Sequence, residues 1–506
     1  MPGSKFVRPR ALAVSAVVWL LTGGAHAQTA AKSQAVGDGP TSQSNPVPGG
    51  GNAKAAEAEP SPGEPGFTTQ LFSSSRTNLL GDAYGLRSTL GNYGISVGAQ
   101  ETAEVFGNAT GGQHRGATFD GLLQVSLGLD TERAFGWAGG TFNISAFQIH
   151  GRNLATDNLL NLQTNSGIEA NRATRLWELW YQQAFFNGRA DLKIGQQSLD
   201  QEFIGSQYSG LFINTMMGWP LIPSFDLYAG GPAYPLSSLG VRLRLQPINN
   251  LTVLAGVFND NPPGGSFADD SQVRGSEQAG TRFNLQTGAL LFGEVQYAIN
   301  QPALGELDHG DTRRGLPGVY KLGGWYDTGK FPDQRIDTTG LSLADPNSSG
   351  IPRSRKSNYS VYGVFDQMIW RPDPDEAQAI GIFARLMGSP GDRNLVSFSV
   401  NGGIELKAPF EGRDNDTVGL GFGVGRVSSS AIKLDRDQNA FGTATPVRSS
   451  ESFIELTYQY SVASWWQVQP DAQYVWTPGG GIANPLVPTK RIGNEAIFGV
   501  RTTVVF

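Results

Sequence analysis

Seven charged side chains stand where they could bind a polar solute: Arg242, Arg244, Glu294, Arg385, Glu405, Glu455 and Arg501. Each belongs to a run in which polar and apolar residues alternate, which places it on the polar face of a strand. Guanidinium and carboxylate groups gathered on one face offer charged hydrogen-bond partners to hydroxyls, and nearby aromatic rings offer platforms for a weakly apolar ring face. The alternative role is structural, because arginines and carboxylates on neighbouring strands also pair across a sheet and hold it together. Covalent and metal chemistry have no comparable footing. The chain has no cysteine, and its histidines beyond residue 27, His114, His150 and His309, are isolated from one another. Paired-histidine metalloprotease spacing and the Gly-x-Ser-x-Gly nucleophile elbow are absent, and Gly49-Gly-Gly51 does not lie between a strand and a helix. The acidic pair Asp269-Asp270 falls in an expected outer loop, where hydration accounts for it. The pattern implies a binding or conducting surface with no catalytic site, cofactor or metal.

The elements that must position these residues are strands. From about Tyr93 onward, sixteen segments of roughly 8 to 14 residues have strand character. In residues 396–407, Val396, Phe398, Val400, Ile404 and Leu406 share one face, and Ser397, Ser399, Asn401, Glu405 and Lys407 the other. In residues 452–462, Ile454, Leu456, Tyr458 and Tyr460 oppose Glu455, Thr457, Gln459 and Ser461. Leu239, Val241, Leu243 and Leu245 likewise oppose Arg242, Arg244 and Gln246. A soluble β-sandwich has the same period of two, with the oily face turned into a core. Three features favour a transmembrane barrel with the oily face outward. Aromatic residues gather near strand ends (Tyr359, Trp370, Trp465, Trp466, Trp476), as interface girdles require. The chain also ends on a strand over residues 496–506 whose last residue is Phe506. Finally, connections alternate between short (187–188, 247–250, 371–377, 408–415, 463–464) and long (151–172, 200–238, 260–286, 328–357, 429–450, 477–495), with two exceptions, a long one at 301–317 and a short one at 389–395. The fold class expected is all-β, a 16-stranded antiparallel transmembrane β-barrel, a size whose interior holds an aqueous channel.

The connection over residues 200–238 is uncommonly long to lack a function. It carries Phe203, Tyr208, Phe212, Trp219, Phe225, Tyr228 and Tyr234. So many rings are not expected to lie in water, so the loop is expected to pack into the barrel mouth as a constriction; packing on a neighbour in a trimer is the alternative.

The start of the chain sets the compartment. Lys5, Arg8 and Arg10 precede an apolar run over residues 11–21 and a small-x-small site at Ala25-His26-Ala27, the pattern of a signal peptide spanning 1–27. The run is shorter than the roughly 20 residues needed to span a bilayer. Residues 28–66 contain no Phe, Tyr, Trp, Leu, Ile or Met, and 13 of these 39 positions are Pro or Gly, so this stretch is expected to be a disordered tether. Residues 67–92 then form a periplasmic lead-in to a barrel over 93–506. Removing the three signal cations from 38 Lys+Arg leaves 35 against 44 Asp+Glu, a net charge of -9, which argues against nucleic acid as a partner. With 67 glycines in 506 residues and only 16% charged residues, many short strands are expected rather than long helices.

The segments Arg175-Leu-Trp-Glu-Leu-Trp180, Gly231-Pro-Ala-Tyr-Pro235 with Gly240-Val-Arg242, and the ending Glu455 to Tyr458, Trp465 to Tyr474 and Pro478-Gly-Gly480 resemble the carbohydrate-selective porins of the OprB type. The resemblance covers about residues 94–506 and shows three separated motifs in the family's order. It implies a 16-stranded barrel in the bacterial outer membrane, constricted by inward-folded loops, in which arginine, acidic and aromatic side chains contact glucose-like sugars. It also adds Arg175 and Glu178 as candidates. These two are three apart and so on opposite faces of a regular strand: Glu178 with Gln182 reads as the inner face, and Arg175 either sits at the rim or is turned inward by a bulge. The partners implied are small sugars, outer-membrane lipid and the barrel-assembly machinery through Phe506, with monomer or homotrimer both open. A nonselective porin and an exported carbohydrate-binding β protein are the competing readings.

Overall fold

The alternating segments pair antiparallel with their chain neighbours until the last pairs with the first. A computed structural model describes residues 76–264, 278–300, 315–372 and 377–506. The expected signal peptide and tether, together with Asp269-Asp270 and His309, lie outside the described residues. The strands are β1 (Ile95–Thr110), β2 (Gly116–Asp130), β3 (Gly140–Gly151), β4 (Ala173–Phe185), β5 (Ala190–Gln197), β6 (Ser238–Ile248), β7 (Leu251–Asn259), β8 (Ala289–Ile299) and β9 (Gly318–Asp337). They continue as β10 (Pro352–Trp370), β11 (Ala379–Gly388), β12 (Val396–Lys407), β13 (Thr417–Val427), β14 (Ser450–Ala463), β15 (Trp466–Trp476), β16 (Ala483–Asn484), β17 (Val487–Arg491) and β18 (Glu495–Val505). β16 and β17 form a separate small hairpin, and the remaining sixteen close into one barrel through the β1–β18 pair. Closure removes every sheet edge, the condition for strands to cross a bilayer.

Burial decides between barrel and sandwich. The oily positions are the exposed ones, with Leu456 at 54% and Phe398 at 41%, while Glu455 and Arg242 are at 0%. A soluble sandwich would show the reverse. Rings collect at both ends of the outer wall, with Trp465 stacked on Trp466 at 6.1 Å at one end and Tyr474 against Trp476 at 4.8 Å at the other. Phe398→Arg should therefore destabilise the barrel by roughly 2 to 4 kcal/mol if it meets the bilayer midplane, whereas Ser399→Arg, at a buried position on the inner face, should disturb the inward loop and change conductance with little loss of barrel folding. Heat-modifiable gel migration reads the first and planar-bilayer recording the second. Equal loss of folding from both would contradict the assigned register.

Two irregular connections are real features. β8 ends at Ile299 and β9 begins at Gly318, while β11 and β12 are joined by only seven residues between Gly388 and Val396. Two expectations are corrected, and one long connection holds an element that was not expected. Residues 328–337 and 352–357, expected as loop, are strand, because β9 and β10 stay paired beyond the membrane, with Arg355 opposite Phe331 and Pro352 opposite Asp337. The buried face of this outer section carries Phe331 together with Asp333 and Asp337, so the oily-polar alternation that marks the other strands is missing there. The connection after β13 contains a helix, Ser429–Ala440, whose N-cap Ser428 accepts from Ala431 N and whose Asp437 pairs with Arg335 of the extended hairpin at 2.7 Å. Val396 joins the inner face, because the register shifts between Val396 and Phe398.

At the foot of the barrel, residues 76–92 fold across the seam. Leu79 N donates to Val505 O at 2.8 Å, Arg87 donates to Phe506 O at 2.5 Å and to Gly81 O, and Phe506 N donates to Ala99 O at 3.1 Å.

Candidate functional site

The inner wall alone would leave a wide lumen, and two connections enter it. Residues 198–237 place their rings against inward apolar side chains: Phe203 lies 5.0 Å from Phe292 and 6.2 Å from Phe258, Phe212 5.8 Å from Phe383, and Trp219 6.3 Å from Phe292. Tyr208 is buried, and Phe225 packs against the same cluster. Tyr228 lies 5.0 Å from Phe331, and Tyr234 packs edge-on against Phe147 at 5.2 Å. All seven loop aromatics thus point inward, but Phe203, Tyr208, Phe212 and Trp219 are buried in packing and do not present open platforms to a solute.

Glycine makes this packing possible. β13 reads Gly419-Leu-Gly-Phe-Gly-Val-Gly425, and its four glycines face inward. A Cβ on Gly419 or Gly421 would sit 2.9 or 2.8 Å from the Phe212 ring, and one on Gly425 would meet Leu221. Alternating glycines on a polar-faced strand were the signal, unread in the sequence, that another segment lies flat against this wall.

The charges on the wall then meet the backbone of the loops. Glu294 accepts from Ile204 N at 2.8 Å and from Tyr362 Oη at 2.9 Å. Glu455 accepts from Ile213 N at 2.6 Å and Asn214 N at 3.3 Å. Glu178 accepts from Ser198 N at 3.0 Å, and Asp366 from Ser206 Oγ at 2.5 Å and Gln207 N at 3.2 Å. Arg385 does the converse: it donates to Met216 O and Met217 O at 2.7 Å, Gly218 O at 3.1 Å and Ile204 O at 3.4 Å, and its Nε bonds Asn401 at 2.9 Å. Glu451, absent from the sequence-derived set, accepts from Leu162 N and Gln163 N at 2.7 Å and Gly479 N at 2.6 Å. It pins the other entering connection, residues 152–172. The two connections join through Gly167 N to Ile213 O at 2.9 Å and Thr215 N to Thr164 O at 3.0 Å.

Two ion-pair groups complete the wall. Arg242 contacts Asp191 and lies 3.0 Å from Glu202, which also holds Lys193 at 2.8 Å, while Arg244 lies 2.5 Å from Asp191. Burial alone would raise the Glu202 carboxyl, but Arg242 and Lys193 overcome it and bring it down to about 2. Arg501 lies 3.3 Å from Glu104 and 3.2 Å from Ser166 Oγ of the first loop.

Arg175 and Glu178 both face inward. Ser145 pairs with Glu178 and Ala146 with Leu176, so Trp177 is the extra residue of a β-bulge, stacked on Phe147 at 4.4 Å. Of the sequence-derived charges, Arg242, Arg385 and Glu455 are at most 1% exposed, Arg244 reaches 8%, and Glu405 is half-buried. Gln182, Lys321 and Lys407 are also half-buried on the inner face, and Gln207 of the loop is exposed.

The model of a family described as carbohydrate-selective porins, OprB, matches residues 114–506. This chain belongs to that family. The porin is 26% identical over 462 residues to Porin B of Pseudomonas aeruginosa, covering 88% of this chain and 94% of that protein. It is 24% identical over 438 residues to the putative porin QuiX of Acinetobacter baylyi, covering 82% and 91%. Among solved structures, the high-pH form of Pseudomonas putida OprB superposes with a TM-score of 0.73 at 23% identity, over 86% of this chain and 99% of that one. The porin is an outer-membrane β-barrel channel of the carbohydrate-selective class.

Proposed function

We propose that this porin passes monosaccharides such as glucose by passive diffusion, and that the loops over 152–172 and 198–237 set its size limit. The observation that carries the reading is the set of wall charges holding both loops inside the barrel, with Glu455 bonded to Ile213 N and Arg385 to four loop carbonyls. On this reading Glu178, Arg242, Glu294, Arg385, Glu455 and Arg501 hold the constriction, with Arg175 buried on the same face through the bulge, while the half-buried Glu405 and, next in exposure, Arg244 are the groups offered to sugar hydroxyls. Each charged hydrogen bond to a hydroxyl contributes about 1.5 to 3 kcal/mol before competition from water. The oily outer band then faces outer-membrane lipid, and Phe506 is the terminal residue read during barrel assembly. Liposomes containing the full chain should swell with glucose-sized sugars at rates that fall steeply with saccharide size. Ionic current that no sugar reduces at any concentration would leave a nonselective porin.

A further inference from the structure

Asp260 directly follows β7 and Asp327 lies in the outer part of β9, on either side of β8. Two glycines let their carboxylates converge. The Cβ that Gly329 lacks would lie 2.9 Å from Asp327 Oδ1, 3.1 Å from Asp260 Oδ2 and 2.6 Å from the Tyr228 ring, so those two oxygens are at most 6.0 Å apart. At Gly288 a Cβ would meet Asp260 Oδ2 and lie 2.7 Å from Thr328 Oγ1. Both carboxylates are buried, at 1% and 0%. Thr287 Oγ1 donates to Asp260 Oδ1 at 2.6 Å and Gly329 N to Asp327 Oδ1 at 2.7 Å. Asp327 Oδ2 is buried with no hydrogen-bond partner, and neither carboxylate has a basic partner among the described residues. Two buried carboxylates side by side need a cation or a shared proton.

We propose that Asp260 and Asp327 bind a divalent hard cation, Ca²⁺, at the extracellular rim of the barrel. Ca²⁺ accepts irregular sets of oxygens at about 2.3 to 2.6 Å, whereas Mg²⁺ demands a near-ideal octahedron. Carboxylates from two different strands, with the Thr328 hydroxyl beside them and water in the remaining positions, suit the larger ion. Its position also has a structural consequence. Tyr228 of the inward loop lays its ring on Gly329 and donates to Lys330 O at 2.5 Å, so an ion bridging Asp260 and Asp327 braces the wall at the point where that loop returns to it.

Terbium luminescence on the purified, lipopolysaccharide-free full chain tests this, because the Tyr228 ring is positioned to sensitise Tb³⁺. Saturable emission displaced by Ca²⁺ is expected, with binding at least tenfold weaker in Asp327→Asn and in Asp260→Asn. Asp337→Asn is the control, since that rim carboxylate is already satisfied by Thr339, Leu341, Ser348 and Ser349 and should leave the signal unchanged. Absence of Ca²⁺-displaceable emission from the native protein, wild-type affinity in Asp327→Asn, or equal loss in the control would overturn the site, leaving a shared proton as the account of the pair. Should neither asparagine variant give the folded band on a heat-modifiability gel, the native protein decides alone. Its unfolding midpoint must then be higher in Ca²⁺ than in chelator, and an unchanged midpoint overturns the proposal.

Discussion

Replacing residues 210–228 with a short Gly-Ser linker should raise single-channel conductance severalfold, admit disaccharides to liposomes and weaken sugar block. A sixteen-stranded wall encloses an aqueous channel unless something fills it, and here the filling is this segment. Phe212, Met216, Met217, Trp219, Leu221 and Ile222 are buried against the inner wall. The wall itself does not depend on them, because β11 to β14 remain joined by continuous ladders from Gly381↔Glu405 through Gly419↔Thr457. Folding should therefore survive, read as an unchanged heat-modifiable band, while Glu455, Asn401 and Arg385 become hydrated lumen side chains. A deletion that folds and conducts like the native channel would show that the segment does not set the constriction.

That such a segment fills the lumen was partly legible in the sequence. Its rings and its length marked 200–238 as a loop that would not lie in water, and the period of two in β12 and β14 gave the barrel and the facing of Glu405 and Glu455, because lipid outside and water inside impose opposite demands on alternate residues. What the charges do was not legible. Glu455 and the Ile213 amide it accepts from are 242 residues apart, and no spacing within one strand records such a partner. The same holds for Arg385, whose role depends on where the chain from Met216 to Gly218 comes to rest. The outer section of the β9–β10 hairpin failed to show for a different reason: its buried face carries Asp333 and Asp337 beside the single ring of Phe331, so its sequence holds no oily-polar alternation to find. Arg175 falls between these cases. Its conflict with Glu178 was visible from spacing, and Trp177 as the bulged residue resolves it, but only the register against Ser145 and Ala146 shows which of the two outcomes holds.

Arg385→Met should loosen the constriction without removing it. The guanidinium is the point at which the wall holds the carbonyls of Ile204, Met216, Met217 and Gly218, and a thioether of similar length restores none of these bonds. Charged hydrogen bonds of this kind contribute about 1.5 to 3 kcal/mol each, and buried carbonyls left unpaired cost further free energy. The turn over Thr215–Gly218 is then expected to detach from β11 and β12 while the wall persists, giving higher and noisier single-channel current and faster protease cleavage within 198–237 at an unchanged heat-modifiable band. Lys in place of Arg keeps a charge but reaches fewer carbonyls at once, so Arg385→Lys should fall between the native channel and Arg385→Met. The split between conductance and sugar block separates this role from direct contact with solute. A tie for the loop moves both together, whereas a sugar-contacting arginine would lose block at unchanged conductance, and that second outcome would return Arg385 to the set of groups that touch the sugar.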